Sequence, residues 1–211
     1  MNNIPIILTL YVGFIHAFET DHILAVSNIV TNRDKSIKAL KDGLSWGLGH
    51  TSTILIMGTL VLLMKFNISD SVFSYFEAVV GVVLVSLGIH RIIQWYKRKY
   101  SMAATHTHED GSVNNGSHLP AFLIGLFHGL AGSGALILLV MSDSTTVGNG
   151  LLYLLLFGLG SVTGMTFAAG TFSLPFNKKI IANVKLQIIL VFISSTLCIT
   201  YGTKVIIENI F

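Results

Sequence analysis

Apolar residues in this chain do not alternate with polar ones. They run in long blocks, and the polar positions are pushed into the gaps between the blocks. Six stretches stand out: Ile4–Val30, Leu44–Met64, Val72–Trp95, Leu119–Met141, Val147–Phe172 and Lys185–Ile207. A helix needs about 20 largely apolar residues to cross a bilayer, and each stretch meets that length. The pattern therefore predicts an all-α polytopic membrane protein of six transmembrane helices, with no separate soluble domain of ordinary size. The first stretch lacks a basic leader and runs on into charged and histidine residues, so it is expected as a mature helix and not as a cleaved signal.

Composition agrees: 52% of the 211 residues are apolar and 11% are charged, against roughly 25% charged in soluble domains. The single cysteine, Cys198, excludes an intrachain disulfide and a thiolate metal cluster and is expected to act as a small buried hydrophobe. The net charge of +3 resides in connections, so it reports topology and not nucleic-acid binding. Arg33, Lys35, Lys38 and Lys41 lie between stretches 1 and 2; Lys97, Arg98 and Lys99 follow stretch 3; Lys178 and Lys179 separate stretches 5 and 6. The alternate connections hold only Lys65. The positive-inside rule then places these basic loops in the cytoplasm and both termini outside a cell membrane.

The chain also resembles itself. Val12-Gly13-Phe14-Ile15-His16-Ala17 matches Ile124-Gly125-Leu126-Phe127-His128-Gly129 in chemical type, and Trp46-Gly47-Leu48-Gly49-His50 matches Phe157-Gly158-Leu159-Gly160-Ser161. The shifts are 112 (His16 to His128) and 111 (Gly47 to Gly158). Three spans per half is an odd number, so the halves enter the membrane from opposite sides. This predicts an inverted three-plus-three repeat, with residues 1–100 and 119–211 as the halves and 101–118 as a cytoplasmic histidine-containing loop. Inverted repeats place a transporter's substrate near the midplane where the halves meet, so His16 and His128 could face each other across the pseudo-two-fold axis.

Carboxylates near the bilayer centre cost about 2.5–3.5 kcal/mol each on insertion scales and usually face a cavity or a partner. The first stretch carries two, Glu19 and Asp21, flanked by His16 and His22. One buried histidine can be a structural hydrogen-bonded residue; four ligand-type groups in one short run point to metal. On a straight helix of about 100° per residue, His16, Glu19 and His22 fall at about 0°, −60° and −120°, and Asp21 at about 140°. The first three share a face. Asp21 joins them only if the helix unwinds near Thr20; otherwise it orients a histidine of a neighbouring helix, the role the wheel favours.

His50 enters at a depth of roughly 10 Å from the cytoplasmic end, matching His22 at 1.5 Å per residue, so the two can share an ion; a structural histidine is the alternative. Imidazole with carboxylate and no thiolate suits nickel, cobalt or zinc and argues against copper(I). The tract His106-Thr107-His108-Glu109-Asp110 with His118 reads either as a metal-collecting loop or as a solvated linker. Glu77 reads as an interfacial carboxylate or a proton relay. Gly129, Gly132 and Gly134 mark close helix packing.

These residues carry a resemblance. His16-Ala17-Phe18-Glu19-Thr20-Asp21-His22 resembles the HxxxxDH signature of the nickel/cobalt transporter family, and Leu48-Gly49-His50-Thr51-Ser52-Thr53 is similar to its Leu-Gly-His-Ser-Thr segment. With Gly125-Leu126-Phe127-His128-Gly129-Leu130-Ala131-Gly132-Ser133, the chain looks most like the short UreH-like, urease-accessory branch. The resemblance implies that His16, Asp21 and His22 take part in metal selection and transport, with His50 in a related role. Longer members have eight spans, usually Asp at the position of Glu19, and an Asp-Thr-Ala-Thr-Glu segment that this chain lacks.

An intramembrane serine protease is the rival from another class, on the strength of Ala131-Gly132-Ser133-Gly134. The last stretch, however, has no histidine to serve as its general base. The metalloprotease motif His-Glu-x-x-His and the phosphate-binding loop of nucleotide hydrolases are both missing. The expectation is a non-enzymatic carrier of Ni2+, or secondly Co2+, without a prosthetic group, with His16, Glu19, Asp21, His22, His50 and His128 as the metal-site residues. Uptake that supplies an enzyme such as urease is the leading direction and efflux the alternative. Its partners are the ion and the lipid bilayer, with a cytoplasmic metallochaperone and a second copy of the chain compatible with this reading.

Overall fold

The computed structural model describes residues 6–30, 33, 35–64, 69–104, 117–131, 146–176 and 184–211. These form seven α-helices: α1 (Ile6–His16), α2 (Thr20–Val30), α3 (Ser36–Met64), α4 (Asp70–Ala104), α5 (Leu119–Ala131), α6 (Val147–Ser173) and α7 (Val184–Ile210). A single 3-10 turn, Leu174–Phe176, follows α6. Four helical stretches are long and apolar enough to cross a membrane: Ser36–Met64, Ser71–Lys97, Val147–Phe176 and Lys185–Ile210. Two shorter apolar helices, Ile6–His16 and Leu119–Ala131, stand with them. The chain is a multi-pass helical membrane protein.

Three sequence expectations need correction. The first stretch is not one helix but two, each 11 residues long. At the break, Phe18 N–H donates to Ile15 O (2.8 Å) and Glu19 N–H to His16 O (3.1 Å), the tight i to i−3 pattern that ends a helix; Ile23 N–H then donates to Glu19 O (2.9 Å) to open α2. Neither glycine nor proline stands between Ala17 and Glu19, so no local breaker announced the interruption. Second, α4 is 35 residues long and runs through Ala104, into the region read as loop from residue 101. At 1.5 Å per residue it is about 52 Å long, well beyond a hydrocarbon core of about 30 Å. Third, α3 starts at Ser36, eight residues ahead of the apolar run that opens at Leu44, because amphipathic turns extend it past the lipid-facing part. Of the fourth stretch, residues 132–141 lie outside the described residues, as do His106 and His108.

The packing is organised by crossing pairs: α3 with α6, α4 with α7, α3 with α5, and α1 with α6. Glycines set how close the pairs approach. A Cβ on Gly13 of α1 would run into the Phe157 carbonyl of α6, and one on Gly125 of α5 would run into the Trp46 carbonyl of α3. Shifting Gly13 forward by 112 and Phe157 back by 111 converts the first contact into the second. The same exchange links Gly49 against Phe122 with Gly160 against Leu10, Gly47 against Val162 with Gly158 against Thr51, and Gly58 against Leu154 with Gly43 against Ala169. In the α4–α7 pair, Gly81 and Gly202 each face the other's carbonyl. Hydroxyls lock the same seams, with Ser161 Oγ donating to Gly13 O (3.2 Å) and Thr53 Oγ1 to Leu126 O (2.9 Å). Small residues permit such approach where lipid supplies no hydrophobic drive between helices.

Large apolar side chains cover the outside: Ile7 is 80% exposed, Leu63 63% and Leu159 59%. In water such a surface would aggregate; in a bilayer it is solvated. Polar side chains lie inward, among them wholly buried His22, His50 and His128 beside Trp46 and Met165.

Candidate metal site

Four histidines from four helices meet where these seams converge. His16 closes α1, His22 lies in the first turn of α2, His50 is central in α3, and His128 is near the end of α5. The His22 ring centroid is 4.6 Å from that of His16, 5.1 Å from His50 and 5.7 Å from His128, and His16 to His50 is 5.2 Å. The break after His16 makes this possible. It lets α1 end on one histidine and α2 begin with another, both turned to the same interior point.

Each of three rings is held from behind. His16 Nδ1–H donates to Glu19 Oε1 at 2.8 Å, His22 Nδ1–H to Asp21 Oδ1 at 3.1 Å, and His128 Nδ1–H to the Ile124 carbonyl at 3.0 Å. A proton fixed on Nδ1 leaves a lone pair on Nε2, the arrangement by which carboxylates and carbonyls orient metal-binding imidazoles. Nε2 of His22, Nε2 of His128 and Nδ1 of His50 have no hydrogen-bond partner among the described residues. Buried polar groups are seldom left so. Ring nitrogens of His16, His22 and His50 lie within 4.8 Å of one another.

The closest pair is His16 Nε2 and His50 Nε2, 3.2 Å apart. Two imidazole nitrogens bound to one ion at about 2.1 Å are about 3.0 Å apart at a right angle and about 3.4 Å apart at a tetrahedral angle. The observed separation falls between the two, and it is also the length of a hydrogen bond from His50 Nε2–H to the lone pair of His16 Nε2. Aromatic side chains wall the cluster: Phe157 lies 5.1 Å from His16, and Trp46 lies 5.4 Å from His22 and 6.0 Å from His128. Trp46 and Phe157 are themselves partners under the shift of 111.

The sequence-predicted residues fare differently. His16, His22 and His50 come together directly. His128 joins through its ring contact with His22. Glu19, its side chain 57% exposed, accepts from His16 at the rim of the break. Asp21 orients a histidine as the wheel suggested, but that histidine is its own chain neighbour, His22. Carboxylate oxygens of Glu19 and Asp21 and a nitrogen of His22 form a second group within 4.8 Å. Sequence reasoning missed Trp46, although its i, i+4 spacing to His50 places both on one face of α3.

A separate ion cluster lies at the opposite ends of these helices. Asp42, 1% exposed, accepts from both Arg33 nitrogens Nε and Nη2, the latter at 2.7 Å, and from His118 Nδ1 at 2.6 Å. Ser45 Oγ donates to His118 O at 2.9 Å. His118, read as part of the metal-collecting or linker tract, is thereby committed to joining α5 to α3.

A bundle of membrane-crossing helices around a buried, oriented histidine cluster defines the class: a multi-pass membrane protein with a cluster of histidines in its interior. Comparison with known proteins then places it. Over 184 residues the chain is 39% identical to the urease accessory protein UreH of Bacillus sp. (strain TB-90), covering 83% of this chain and 81% of that one. The chain belongs to the UreH family of urease accessory proteins. No family profile matches it, and no solved structure does.

Proposed function

We propose that this protein carries a divalent transition metal ion across the cell membrane, nickel first and cobalt second, inward, to supply a nickel enzyme such as urease. The observation that carries the proposal is the set of buried imidazoles converging on one interior point, three of them turned by a hydrogen bond on Nδ1 so that Nε2 is left as the metal-facing nitrogen. Imidazole donors suit nickel and its neighbours, and the lack of thiolate disfavours copper(I). Membership of a urease-accessory family supports nickel among them.

In this reading His16, His22 and His50 bind the ion and His128 completes the set, while Glu19 and Asp21 hold His16 and His22. The exchanged contacts across the α1–α6 and α3–α5 seams support an inverted repeat of residues 1–100 and 119–211, joined by 101–118. The ion then lies near the two-fold axis, and rocking of one half against the other alternates access. Positive-inside charge supports cytoplasmic basic loops and external termini. A cytoplasmic metal-carrying protein that receives the ion, and a second copy of the chain, are compatible partners.

The test is uptake of radioactive nickel into proteoliposomes, with cobalt, zinc and manganese in competition and with or without a proton gradient. Wild-type protein is expected to accumulate nickel, and His16→Ala and His22→Ala variants inserted at equal level are expected to lose uptake. Parental uptake by both variants would refute the site.

A further inference from the structure

The Arg33–Asp42–His118 cluster is buried charge to which metal binding assigns no part. Asp42 lies eight residues from His50 along α3, and His118, just before α5, lies ten residues from His128. At 1.5 Å per residue the cluster stands about 12–15 Å from the histidines, toward the end that the positive-inside rule puts in the cytoplasm. It ties together elements from different halves of the chain. His118 Nδ1 donates to Asp42 Oδ1 at 2.6 Å, and Ser45 Oγ donates to the His118 carbonyl at 2.9 Å. Arg33, from the connection before α3, donates to both oxygens of the same carboxylate. The Asp42 side chain is 0% exposed, against 15% for Arg33 and 35% for His118, so the carboxylate is sealed beneath donors that water reaches.

The matching seam of the other half is built differently. Under the internal shift α3–α5 corresponds to α1–α6, with Gly49 against Phe122 matched by Gly160 against Leu10. Asp42 moved forward by 111 becomes Tyr153, Ser45 becomes Leu156, and His118 moved back by 112 becomes Ile6. None of these three carries a charge. Glycine packing is therefore shared by the cytoplasmic end of α3–α5 and the external end of α1–α6, and charge-assisted hydrogen bonds, stronger than neutral ones, are added at the cytoplasmic end. On the external side, Glu19 and Asp21 line a cavity of about 250 Å3 that extends to Glu77 of α4 and Glu208 of α7.

We propose that Asp42 and His118 form a latch that holds the cytoplasmic end of the α3–α5 seam shut, so that the ion-free protein opens first to the outside. The proposal rests on the transport reading above and adds to it which end of the carrier rests closed. Delivery of an ion from His50 and His128 to the cytoplasm requires α3 and α5 to part at this end, which breaks the His118–Asp42 bond. Losing one hydrogen bond to a charged group shifts such an equilibrium by about tenfold or more. In a carrier with two alternating states, population gained by the inward-open state is lost by the outward-open one. A merely loosened bundle opens at both ends.

The experiment uses one reporter at each end. Ala121 of α5 and Thr9 of α1 are partners under the shift of 112, and both are buried. Ala121→Cys and Thr9→Cys are each placed in a Cys198→Ser background and labelled with a membrane-impermeant maleimide, in inside-out vesicles for the first and in intact cells for the second. Nickel uptake by the same proteins is measured beside the labelling. His118→Ala is expected to speed labelling at Ala121→Cys about tenfold and to slow it at Thr9→Cys. His118→Asn places an amide donor near the position of Nδ1 and should restore both parental rates. If His118→Ala inserts poorly, Ser45→Ala, which removes only the bond to the His118 carbonyl, should shift both rates in the same directions by a smaller factor. Rates unchanged at both reporters, or raised at both, in proteins that accumulate nickel overturn the latch and leave the transport reading standing. Wild type that accumulates no nickel overturns the transport reading, and the latch with it.

Discussion

Replacing Asp21 tests whether the histidine cluster is a metal site at all, because Asp21 carries the hydrogen bond that orients the buried His22 ring. Its Oδ1 accepts from His22 Nδ1 at 3.1 Å, and the ring behind that bond is wholly buried. In metal sites, loss of such a partner lowers affinity or activity about 10- to 100-fold, equivalent to about 1.4–2.7 kcal/mol. The two ends of that range correspond to two substitutions. Asp21→Asn keeps an oxygen that can accept from Nδ1–H and loses only the charge, so the nickel KM should rise about tenfold. Asp21→Ala leaves a buried N–H without a partner. The ring can then move its proton to Nε2, converting the inward lone pair into a donor, and the loss should approach 100-fold. Glu19→Gln provides the internal comparison: Glu19 is 57% exposed, water screens and replaces it, and the effect should stay within a fewfold. Nickel titration calorimetry on detergent-purified protein, beside uptake kinetics at matched membrane levels, reads the affinities directly. An Asp21→Ala protein with parental nickel affinity, or a Glu19→Gln defect larger than that of Asp21→Asn, would show that the carboxylates do not act by holding the rings.

Two further perturbations address the scaffold. Gly13→Ala and Gly125→Ala drive a methyl into the Phe157 and Trp46 carbonyls respectively, so each should cost about 1–3 kcal/mol by overpacking, whereas Gly148→Ala, with open space around it, should be near neutral. Thermal unfolding in detergent measures all three, and equal melting temperatures would contradict the close seams. Arg33→Ala leaves the buried Asp42 charge with only His118 as a described side-chain partner. It should destabilise by about 3–5 kcal/mol, and the paired replacement Arg33→Met with Asp42→Leu should recover much of it; a single variant as stable as wild type in the same unfolding measurement would show the pair to be incidental.

Much of the architecture was legible from apolar run lengths, because a bilayer demands about 20 apolar residues per crossing whatever the neighbours are. Ends were less so. The start of α3 at Ser36 and the extension of α4 to Ala104 lie in more polar sequence, which apolar run length does not mark. The histidines of the site were visible because ligand-type groups are costly in an apolar run and are kept there to face a cavity or a partner. That Asp21 orients a histidine was legible too, but not which histidine it serves.

The helix wheel assumed a straight helix through Ala17-Phe18-Glu19, a run without glycine or proline, so it read Asp21 as orienting a histidine but placed that histidine on a neighbouring helix, where the break gives it to His22. At the break α6 lies close, since a Cβ on Gly164 would run into the Phe14 carbonyl and Ala17, and Glu19 accepts from His16. Composition and patterning alone therefore determined a helical membrane protein, a self-similar chain and the identity of its candidate ligands. Tertiary structure alone decided which nitrogen of three of the rings faces inward, that Asp21 serves His22, that Trp46 and Phe157 wall the cluster, and that Glu77 and Glu208 share a cavity with Glu19 and Asp21. The reason is one of range. Hydropathy is a property of each segment, whereas ring orientation and cavity lining depend on close contacts between residues far apart in the chain.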